Sequence, residues 1–353
     1  MVVLKIYTNA YLDRNIGDDL MLRLAAQAMP QHCFYVGCAD PALLFPFADL
    51  KNVIGGAPLL NGKINTNDYD ALLTIGGSMY ILGSRNSVKY RYKTFYKGNA
   101  KFKRAGKKIA VCGCNLGLAN SRLANLLINL ELKKAGSVTL RDSLSLDIAN
   151  GAGINASFYP DMLFSLDIPP AKTRDGLGIS VYRNIRERGQ NFDYCKAVAI
   201  AADSYINTTG KPVTLFAFDC ETENDLCSVH TVANLMENDV KIVAYTGDYK
   251  PVLAAIAGCE RFIGTRFHST IFALSSKTPV LPVIYSKKTV SMLRDIGFDG
   301  KSFTVRDICE NPERFADEVC GQNAWFTLDD ASLAKIKKQS GGHIEKLKNY
   351  FNQ

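Results

Sequence analysis

No two of the ten cysteines in this 353-residue sequence form a CxxC pair. Several of them lie inside apolar runs such as IAVCGC, which favours reduced, structural thiols over a disulfide framework or a zinc site. The His, Asp and Glu residues also show no metal-ligand spacing. We therefore expect that the protein requires no metal and no cofactor.

A signal peptide and a long apolar run are also missing from the start of the sequence. The segment MVVLKIYTNAYLDRNIGDDL reaches polar and acidic residues almost at once. A signal peptide needs a cationic start and an apolar run, and a membrane span needs about 20 apolar residues. We expect this segment to hold the first strand of a cytoplasmic protein.

Two common nucleotide-binding motifs do not occur. No GxGxxG follows the first predicted strand, and no GxxxxGK[ST] occurs anywhere in the sequence. What the sequence does contain is a repeated order of apolar strand, turn and amphipathic helix. One series of strands includes VVLKIYT, ALLTIGG and KKIAVCG, and a second includes GLGISVY, PVTLFAF and RFIGT. This alternation predicts βαβ units and parallel sheets.

The segment LDIPPAKTRDG separates the two series and is typical of a linker, because it combines paired prolines with charges. We predict an α/β fold of two doubly wound, Rossmann-like domains that face a cleft. The boundary is predicted near residue 170, with domains 1–170 and 171–353. The second domain is predicted to end in closing helices that are broken at Gly341 and Gly342.

The positive charge is concentrated in one segment. The formal net charge is +8, whereas residues 85–108 contain ten Lys or Arg and no acid, so the rest of the sequence sums to −2. Aromatic residues alternate with these cations. Such a composition suits nucleic acid, an anionic membrane surface or a phosphate-bearing substrate, and a solvated helix face explains it equally well.

The densest group of chemically useful residues lies in IGTRFHSTIFALSSKTPVLPVIYSKK. Arg266 and His268 follow a predicted buried strand, Ser269 begins a helix, and Lys287 and Lys288 follow the next strand. A guanidinium, a helix N-terminus and an ammonium at one sheet edge suit an anionic substrate that has a carboxylate and a phosphate. Taken singly, Arg266 fits a structural ion pair and His268 a core histidine just as well.

Other predicted strand ends also contain polar residues or glycines that a ligand can approach closely. Asp18 fits the N-cap of a helix better than it fits a ligand contact. These candidates are Asn15 and Asp18 in NIGDDL, Gly76, Gly77 and Ser78 in GGS, Arg141 in TLRDSLS, Asp161 in YPD and Arg183 in SVYR.

This ordered series of motifs resembles the polysaccharide pyruvyl transferase family over nearly the whole chain. The specific part is an arginine-x-histidine before a helix, followed by Pro-Val and a lysine, here Arg266, His268, Pro279, Val280 and Lys288. The sequence departs from the family pattern in two places. Ser78 replaces the usual third glycine of GGG, and a GQG-like turn is replaced by Gly113, Cys114 and Asn115.

The resemblance implies a fold like the two-domain GT-B glycosyltransferases, with the acceptor bound by the first domain and the donor by the second. It also implies phosphoenolpyruvate as donor and co-substrate, and a pyruvate ketal formed on a sugar of a cell-surface polysaccharide or its precursor. The catalytic residues would be Arg141, His268 and Lys288. Ketal formation needs a proton donor and cations for the two anionic groups, so we predict His268 as the acid/base. We predict donor binding by Arg266, Arg183, Ser269 and Lys287, and acceptor or loop roles for Asn15, Asp18, Gly76, Gly77, Ser78 and Asp161.

Two other functions compete with this prediction. One is a GT-B glycosyltransferase that uses a nucleotide sugar, and the other is a nucleic-acid-binding protein that uses residues 85–108. The basic segment does not explain the grouping around His268, so we expect no nucleic acid partner. We expect instead that Lys89, Arg91, Lys93 and Lys97 bind lipid or carrier phosphate at the inner membrane face. The acceptor sugar, its linkage to a lipid, the ketal stereochemistry and the oligomeric state stay open.

Overall fold

The computed structural model describes residues 2–38, 40–58, 64–81, 85–117, 121–183 and 190–353. The chain folds into two compact units. The first comprises Met1–Leu12, Asp18–Ser165 and Lys338–Gln353, and the second comprises Asp13–Gly17 and Leu166–Lys337. Both units are parallel α/β structures, which confirms the predicted fold class.

The first unit, within the described residues, has a seven-stranded parallel sheet in the order β3-β2-β1-β4-β5-β6-β7. Its central strands are buried on both faces, which is why ALLTI is a continuous apolar run. The strands are β1 (Lys5–Asn9), β2 (Cys33–Gly37), β3 (Val53–Gly56), β4 (Ala71–Ile75), β5 (Lys108–Cys114), β6 (Ser137–Leu140) and β7 (Ser157–Phe158).

The helices of the first unit begin at polar caps where the sequence supplies them. Ser121 accepts a hydrogen bond from the Ala124 amide at the start of α4, and Asp142 accepts one from the Ser145 amide at the start of α5. The helices are α1 (Ile16–Ala28), which enters this unit at Asp18, α2 (Arg85–Arg91), α3 (Lys97–Arg104), α4 (Arg122–Leu132) and α5 (Ser143–Gly151). A π-helical turn, Tyr92–Tyr96, joins α2 to α3.

The second unit, as far as it is described, repeats this plan with a six-stranded parallel sheet in the order β10-β9-β8-β11-β12-β13. The strands are β8 (Leu177–Ser180), β9 (Val213–Ala217), β10 (Lys241–Ala244), β11 (Arg261–Gly264), β12 (Val280–Ile284) and β13 (Phe303–Thr304). The helices are α6 (Gln190–Thr209), α7 (Asp225–Leu235), α8 (Lys250–Ala257), α9 (Phe267–Ser275), α10 (Lys287–Asp295), α11 (Val305–Glu310), α12 (Pro312–Cys320) and α13 (Asp330–Ser340).

The last helix, α14 (Gly342–Asn352), lies in the first unit and not in the second, which corrects the predicted second domain of 171–353. Polar contacts fix it there. The Lys108 ammonium donates to the carbonyls of Tyr350 and Phe351, and the buried His343 ring contacts the Thr139 hydroxyl. Residues 13–17 also depart from the predicted boundaries. They fall within the predicted first domain, 1–170, but they belong to the second unit.

The cysteines are free thiols, and several of them are buried. Burial raises the pKa of Cys112 to about 12 and that of Cys259 to about 12, so both thiols stay neutral near pH 7. This agrees with the structural role predicted from their apolar surroundings. Among the described helices, none has both the length and the apolar character that a bilayer span requires.

Candidate active site

In each sheet the strand order reverses at one point, the topological switch point. In the second sheet this point lies between β8 and β11, which are neighbours although β9 and β10 separate them in the chain. Doubly wound sheets bind ligands at the carboxyl ends of the strands beside such a point. Ser180 ends β8 and Gly264 ends β11, so the residues that follow these two strands form the candidate site of the second unit.

Ser180 fixes the backbone that leads from β11 into α9. Its hydroxyl oxygen accepts hydrogen bonds from the amides of Thr265 and Arg266, at 2.8 and 3.1 Å. It also lies 2.7 Å from the Ser269 hydroxyl, which donates to the Arg266 carbonyl. Ser269 is fully buried. The Ser269 hydroxyl therefore shapes the start of α9, and the donor-binding role predicted for Ser269 stays a prediction.

Carboxylates hold the guanidinium of Arg266. Its Nε lies 2.7 Å from Asp225, its Nη2 pairs with the same carboxylate, and its Nη1 pairs with Glu223. The guanidinium also lies over the Tyr182 ring, 4.7 Å from its centroid. Both Arg266 and Asp225 are buried. These contacts fit the structural ion pair that the sequence left open, and the predicted donor-binding role of Arg266 stays a prediction.

Asp225 organises the loops of this edge as well as pairing with Arg266. Its carboxylate accepts hydrogen bonds from the backbone amides of Arg183, Phe218 and Asp219, at 3.1 to 3.3 Å. Arg183 follows β8 and is half-buried. Because its amide is bound to Asp225, the start of the loop after β8 is fixed relative to α7.

Aromatic rings connect Arg266 to the lysines of α10. Tyr182 stacks on Tyr285 with their ring centroids 4.2 Å apart. The Lys288 ammonium lies 5.6 Å from the Tyr285 ring and 5.4 Å from the Phe267 ring, within the range of cation–π attraction. Lys287 is exposed and Lys288 is half-buried in the first turn of α10. The side chain of Lys288 therefore lies beside the residue that begins α9.

His268 is half-buried in the first turn of α9. Its ring lies 5.1 Å from the Phe267 ring and 6.4 Å from the Phe272 ring, measured between centroids. The His268 ring also packs against Gly17, so closely that a Cβ atom added to Gly17 would stand 1.6 Å from Nδ1 of His268. Only a glycine leaves room for the ring in this position. Gly17 belongs to the short segment Asp13–Gly17 of the second unit, which is fixed by a bond from the Ile16 amide to the Phe218 carbonyl.

Asn15 holds the segment Asp13–Gly17 in place. Its side-chain oxygen accepts from the Gly17 amide at 3.1 Å, and its side-chain nitrogen lies 3.5 Å from Asp219. Asn15 and Asp219 also form an isolated antiparallel bridge. The predicted acceptor role of Asn15 stays a prediction.

The first sheet reverses its winding between β1 and β4. Gly76 follows β4 with φ +126°, a conformation that favours glycine, and the Gly77 amide donates to Asp18 at 3.3 Å. The Asp18 carboxylate therefore binds the glycine turn. Ser78 is half-buried in the same turn, and its carbonyl accepts from the Tyr11 hydroxyl at 3.5 Å. These three predicted acceptor residues, Gly76, Gly77 and Ser78, form one turn at the carboxyl edge of the first sheet.

Arg141 is buried at the same edge, where β6 ends. Its Nη1 lies 2.8 Å from Asp161 and its Nε lies 2.5 Å from the side-chain oxygen of Asn115. The guanidinium fits against Gly77 so closely that a Cβ there would stand 2.2 Å from Nη2. Asp161 is fully buried and also accepts from the Leu163 amide. Asp161 is therefore a buried partner of Arg141, and its predicted acceptor or loop role stays a prediction. Arg141 is placed to support the glycine turn.

The sequence analysis missed Asp225, Tyr182 and Tyr285. Asp225 stands at the start of a helix, where an acid is usually explained by capping. It lies 41 residues before Arg266 in the chain, so no local pattern links the two. In the part of the chain that the structure describes, no group of three His, Cys, Asp or Glu is arranged to hold a metal ion. The expectation that none is required stays a prediction.

Solved structures with a similar fold include proteins bound to UDP or to UDP-GlcNAc. S. aureus MnaA, in a co-structure with UDP, matches with a TM-score of 0.64 at 11% identity, over 98% of this chain and 96% of that one. The UDP-GlcNAc 2-epimerase from Neisseria meningitidis, bound to UDP-GlcNAc, matches with a TM-score of 0.59 at 9% identity, over 99% of this chain and all of the other. At such low identities the likeness concerns the fold alone, which is the GT-B type.

Sequence comparison gives the family. The amylovoran biosynthesis protein AmsJ from Erwinia amylovora is 21% identical over 343 residues, covering 85% of this chain and 75% of that protein. The family model for polysaccharide pyruvyl transferase matches residues 15–287, a range that contains both glycine turns and the whole of α9. This match, across most of the sequence, confirms that the chain belongs to the polysaccharide pyruvyl transferase family.

Proposed function

We propose that the protein transfers the enolpyruvyl unit of phosphoenolpyruvate to two hydroxyls of one sugar, forming a pyruvate ketal on a cell-surface polysaccharide or its precursor. The methylene carbon of the donor gains a proton, and its central carbon forms two bonds to sugar oxygens. The bond from that carbon to the phosphate oxygen breaks, and inorganic phosphate leaves. The two hydroxyl protons balance the reaction, one ending on the methyl group and one on phosphate.

The observation that most favours this chemistry is the position of His268. Its imidazole is half-buried between Gly17 and aromatic rings at the start of α9, where the sheet of the second unit reverses its winding. A ring fixed in this way suits proton transfer to a carbon atom, which depends on orientation. We assign His268 as the group that protonates the donor.

Cations beside His268 suit the two anionic groups of the donor. Lys288 lies against Phe267, which also contacts the His268 ring, and Lys287 is exposed in the same turn. Both lysines belong to the first turn of α10, and helix N-termini favour phosphate. We therefore assign Lys288 and Lys287 to the phosphate and carboxylate of phosphoenolpyruvate, with Arg183 at the neighbouring loop.

We assign to Arg266 and Arg141 roles that differ from those predicted from the sequence. The Arg266 guanidinium is bound to the carboxylates of Glu223 and Asp225. Arg266 thereby fixes the start of α9, and hence the position of His268. Arg141, bound to Asp161 and Asn115, supports the glycine turn of the first unit. Both are proposed as positioning residues.

The decisive experiment is turnover in D2O with phosphoenolpyruvate and a panel of sugar acceptors. Release of phosphate together with a ketal methyl group that contains one deuterium is expected. His268→Gln should lower kcat by about a hundredfold or more, the scale of general acid catalysis. His230→Gln, at an exposed position on α7, is the matched control and should behave as the unchanged protein.

Calorimetric titration with phosphoenolpyruvate and with nucleotide sugars separates the proposal from a nucleotide-sugar glycosyltransferase. Binding of phosphoenolpyruvate alone is expected. Binding of a nucleotide sugar alone, or a loss of less than about threefold in kcat for His268→Gln, would contradict the assignment.

A further inference from the structure

The basic segment of the first unit forms one side of a mixed apolar and cationic surface. Helix α2, the turn Tyr92–Tyr96 and α3 follow one another without a break from Arg85 to Arg104, and the side chains of 85–87 lie outside the described residues. Thr94, Asn99 and Phe102 face inward. The opposite side exposes lysines and two tyrosines, Tyr90 and Tyr92.

Arg91 attaches this segment to α4 and does not face solvent. Its Nη2 lies 2.8 Å from Glu131 and its Nε lies 3.0 Å from the other oxygen of that carboxylate, and both side chains are buried. The guanidinium also lies over the Tyr80 and Phe95 rings, at 4.2 and 5.2 Å. Arg91 is therefore a structural residue, which corrects the prediction that it touches lipid. It also neutralises Glu131.

Helix α4 exposes a stripe of three leucines. Leu123, Leu126 and Leu130 have 59%, 53% and 38% of their surface exposed, whereas a helix in this position usually shows polar residues to water. Positions three and four apart share one face of a helix, so the three side chains form a continuous apolar row. We call them the leucine stripe.

The leucine stripe adjoins the tyrosines of the basic segment. Lys134 stands one turn after Leu130, with its ammonium bonded to the Leu130 carbonyl at 2.8 Å and 3.9 Å from the centre of the Tyr96 ring. Tyr96 stacks on Tyr92 with centroids 5.6 Å apart, and the Lys97 ammonium lies 5.5 Å from the Tyr92 ring. Leucines, tyrosines and lysines thus follow one another across a single surface.

The charges in the sequence from residue 81 to residue 134 are almost all positive. Residues 81–134 contain 13 Lys or Arg and one acid. That acid is Glu131, which is buried against Arg91. No carboxylate of this stretch therefore offsets its cations. An apolar row flanked by lysines and tyrosines has the character of an interfacial membrane-binding surface, because leucines enter the acyl boundary, tyrosines lie at the headgroups and lysines attract anionic lipid.

We propose that the leucine stripe and the lysines beside it dock the first unit on an anionic lipid bilayer. A second copy of this chain is disfavoured as the occupant, because two such surfaces would place like charges together. Nucleic acid is disfavoured because it leaves the exposed leucines without an apolar partner. Docking needs neither donor nor acceptor, so it is independent of the proposed transfer reaction.

Co-sedimentation with vesicles tests this surface directly. The full-length protein is expected to pellet with phosphatidylglycerol-containing vesicles, to remain in solution with phosphatidylcholine vesicles, and to lose binding as salt rises. Two variants probe the two components. One changes the leucine stripe to Gln, and the other changes Lys89, Lys93, Lys97 and Lys134 to Gln. Each should weaken the partition coefficient by at least about tenfold.

Matched controls remove the same number of exposed residues elsewhere. The apolar control changes Val3, Phe45 and Leu235 to Gln, and the charge control changes Lys51, Lys172, Lys335 and Lys338 to Gln. Both controls should bind as the unchanged protein does, with circular dichroism confirming that every variant is folded. Three outcomes would overturn the proposal. They are failure of the unchanged protein to pellet on anionic vesicles, equal pelleting on neutral vesicles, and unchanged binding of the leucine variant. At constant ionic strength, inorganic phosphate should not compete for the vesicles, since a soluble anion does not replace the apolar contact.

Insertion of the leucine stripe can be detected by fluorescence. Trp325 is the single tryptophan of the chain and belongs to the second unit, so the unchanged protein serves as the reference. In Leu126→Trp, the added emission should shift to shorter wavelength on anionic vesicles and be quenched by brominated acyl chains. Emission that is not quenched in vesicle-bound Leu126→Trp would show that another surface makes the contact.

Discussion

His343 should make the stability of the first unit depend on pH. The ring is fully buried at the start of α14, with Nδ1 2.8 Å from the Thr139 hydroxyl and Nε2 3.1 Å from the Pro160 carbonyl. Because a carbonyl only accepts, Nε2 holds a proton, and in the neutral ring Nδ1 then accepts from the Thr139 hydroxyl. Thr139 in turn accepts from the Gly113 amide. The contacts therefore suit a neutral imidazole.

The size of the effect follows from the pKa. Burial lowers the pKa of His343 from 6.5 to about 4, against the opposing influence of the Asp161 carboxylate. Since the folded-state pKa lies below the unfolded-state pKa, the contribution to stability is complete above about pH 6.5 and is lost as the pH falls towards 4. A shift of this size, at about 1.4 kcal/mol per unit, corresponds to about 3 kcal/mol.

Urea unfolding followed by far-UV circular dichroism between about pH 7 and about pH 4 measures this loss. The variant His343→Gln keeps an amide that can donate to the carbonyl but does not titrate. Its free energy of unfolding should be lower at neutral pH and should fall less on acidification than that of the unchanged protein. His230→Gln, at an exposed position, should follow the unchanged protein.

The result that refutes the reasoning is a parallel fall for His343→Gln and the unchanged protein over this pH range. The fluorescence of Trp325 gives a second check, because this residue lies in the second unit. If the two units unfold separately, the fluorescence transition should be the same in both proteins at every pH.

Three further predictions concern the candidate site. Gly17→Ala should displace the His268 ring, because the added Cβ would stand 1.6 Å from Nδ1. The expected result is a fall in kcat of at least about tenfold with an unchanged circular dichroism spectrum. An unaltered kcat would show that this position of the ring is not required. Arg266→Met should lower the free energy of unfolding by about 3–5 kcal/mol because it leaves Asp225 buried without its cation, and the double variant with Asp225→Asn should recover part of that loss in urea unfolding. Equal stability of the single and double variants would argue against the pair. Lys288→Met should weaken phosphoenolpyruvate binding by about tenfold in calorimetry, and unchanged affinity would place the donor elsewhere.

The fold class followed from the sequence because hydrophobic periodicity is a local property. Apolar runs such as ALLTI and VTLFA become strands buried on both faces, and the helices between them impose parallel pairing. Parallel strands bring their carboxyl ends to one edge, so the positions of Arg266, His268 and Lys288 near one another could also be expected.

The partners of these residues could not be predicted in the same way. Arg266 and Asp225 are 41 residues apart, and the sequence around each fits a solvent-exposed charge as well as a buried pair. The same limit applies to the C-terminal helix. Its amphipathic pattern predicted a closing helix, but only the contacts of His343 and Tyr350 with the first unit decided which sheet it covers.

The sequence by itself thus determined the alternation of strands and helices, the two α/β units and the family, because these depend on local pattern and on motif order. Only the tertiary structure decided which charges are neutralised. Whether a guanidinium binds a substrate or a carboxylate depends on which groups the fold brings within a few ångströms of it, and burial then makes that pairing obligatory. Arg266, Arg141 and Arg91 each acquired a buried carboxylate in this way, while Lys288 lies beside aromatic rings next to His268.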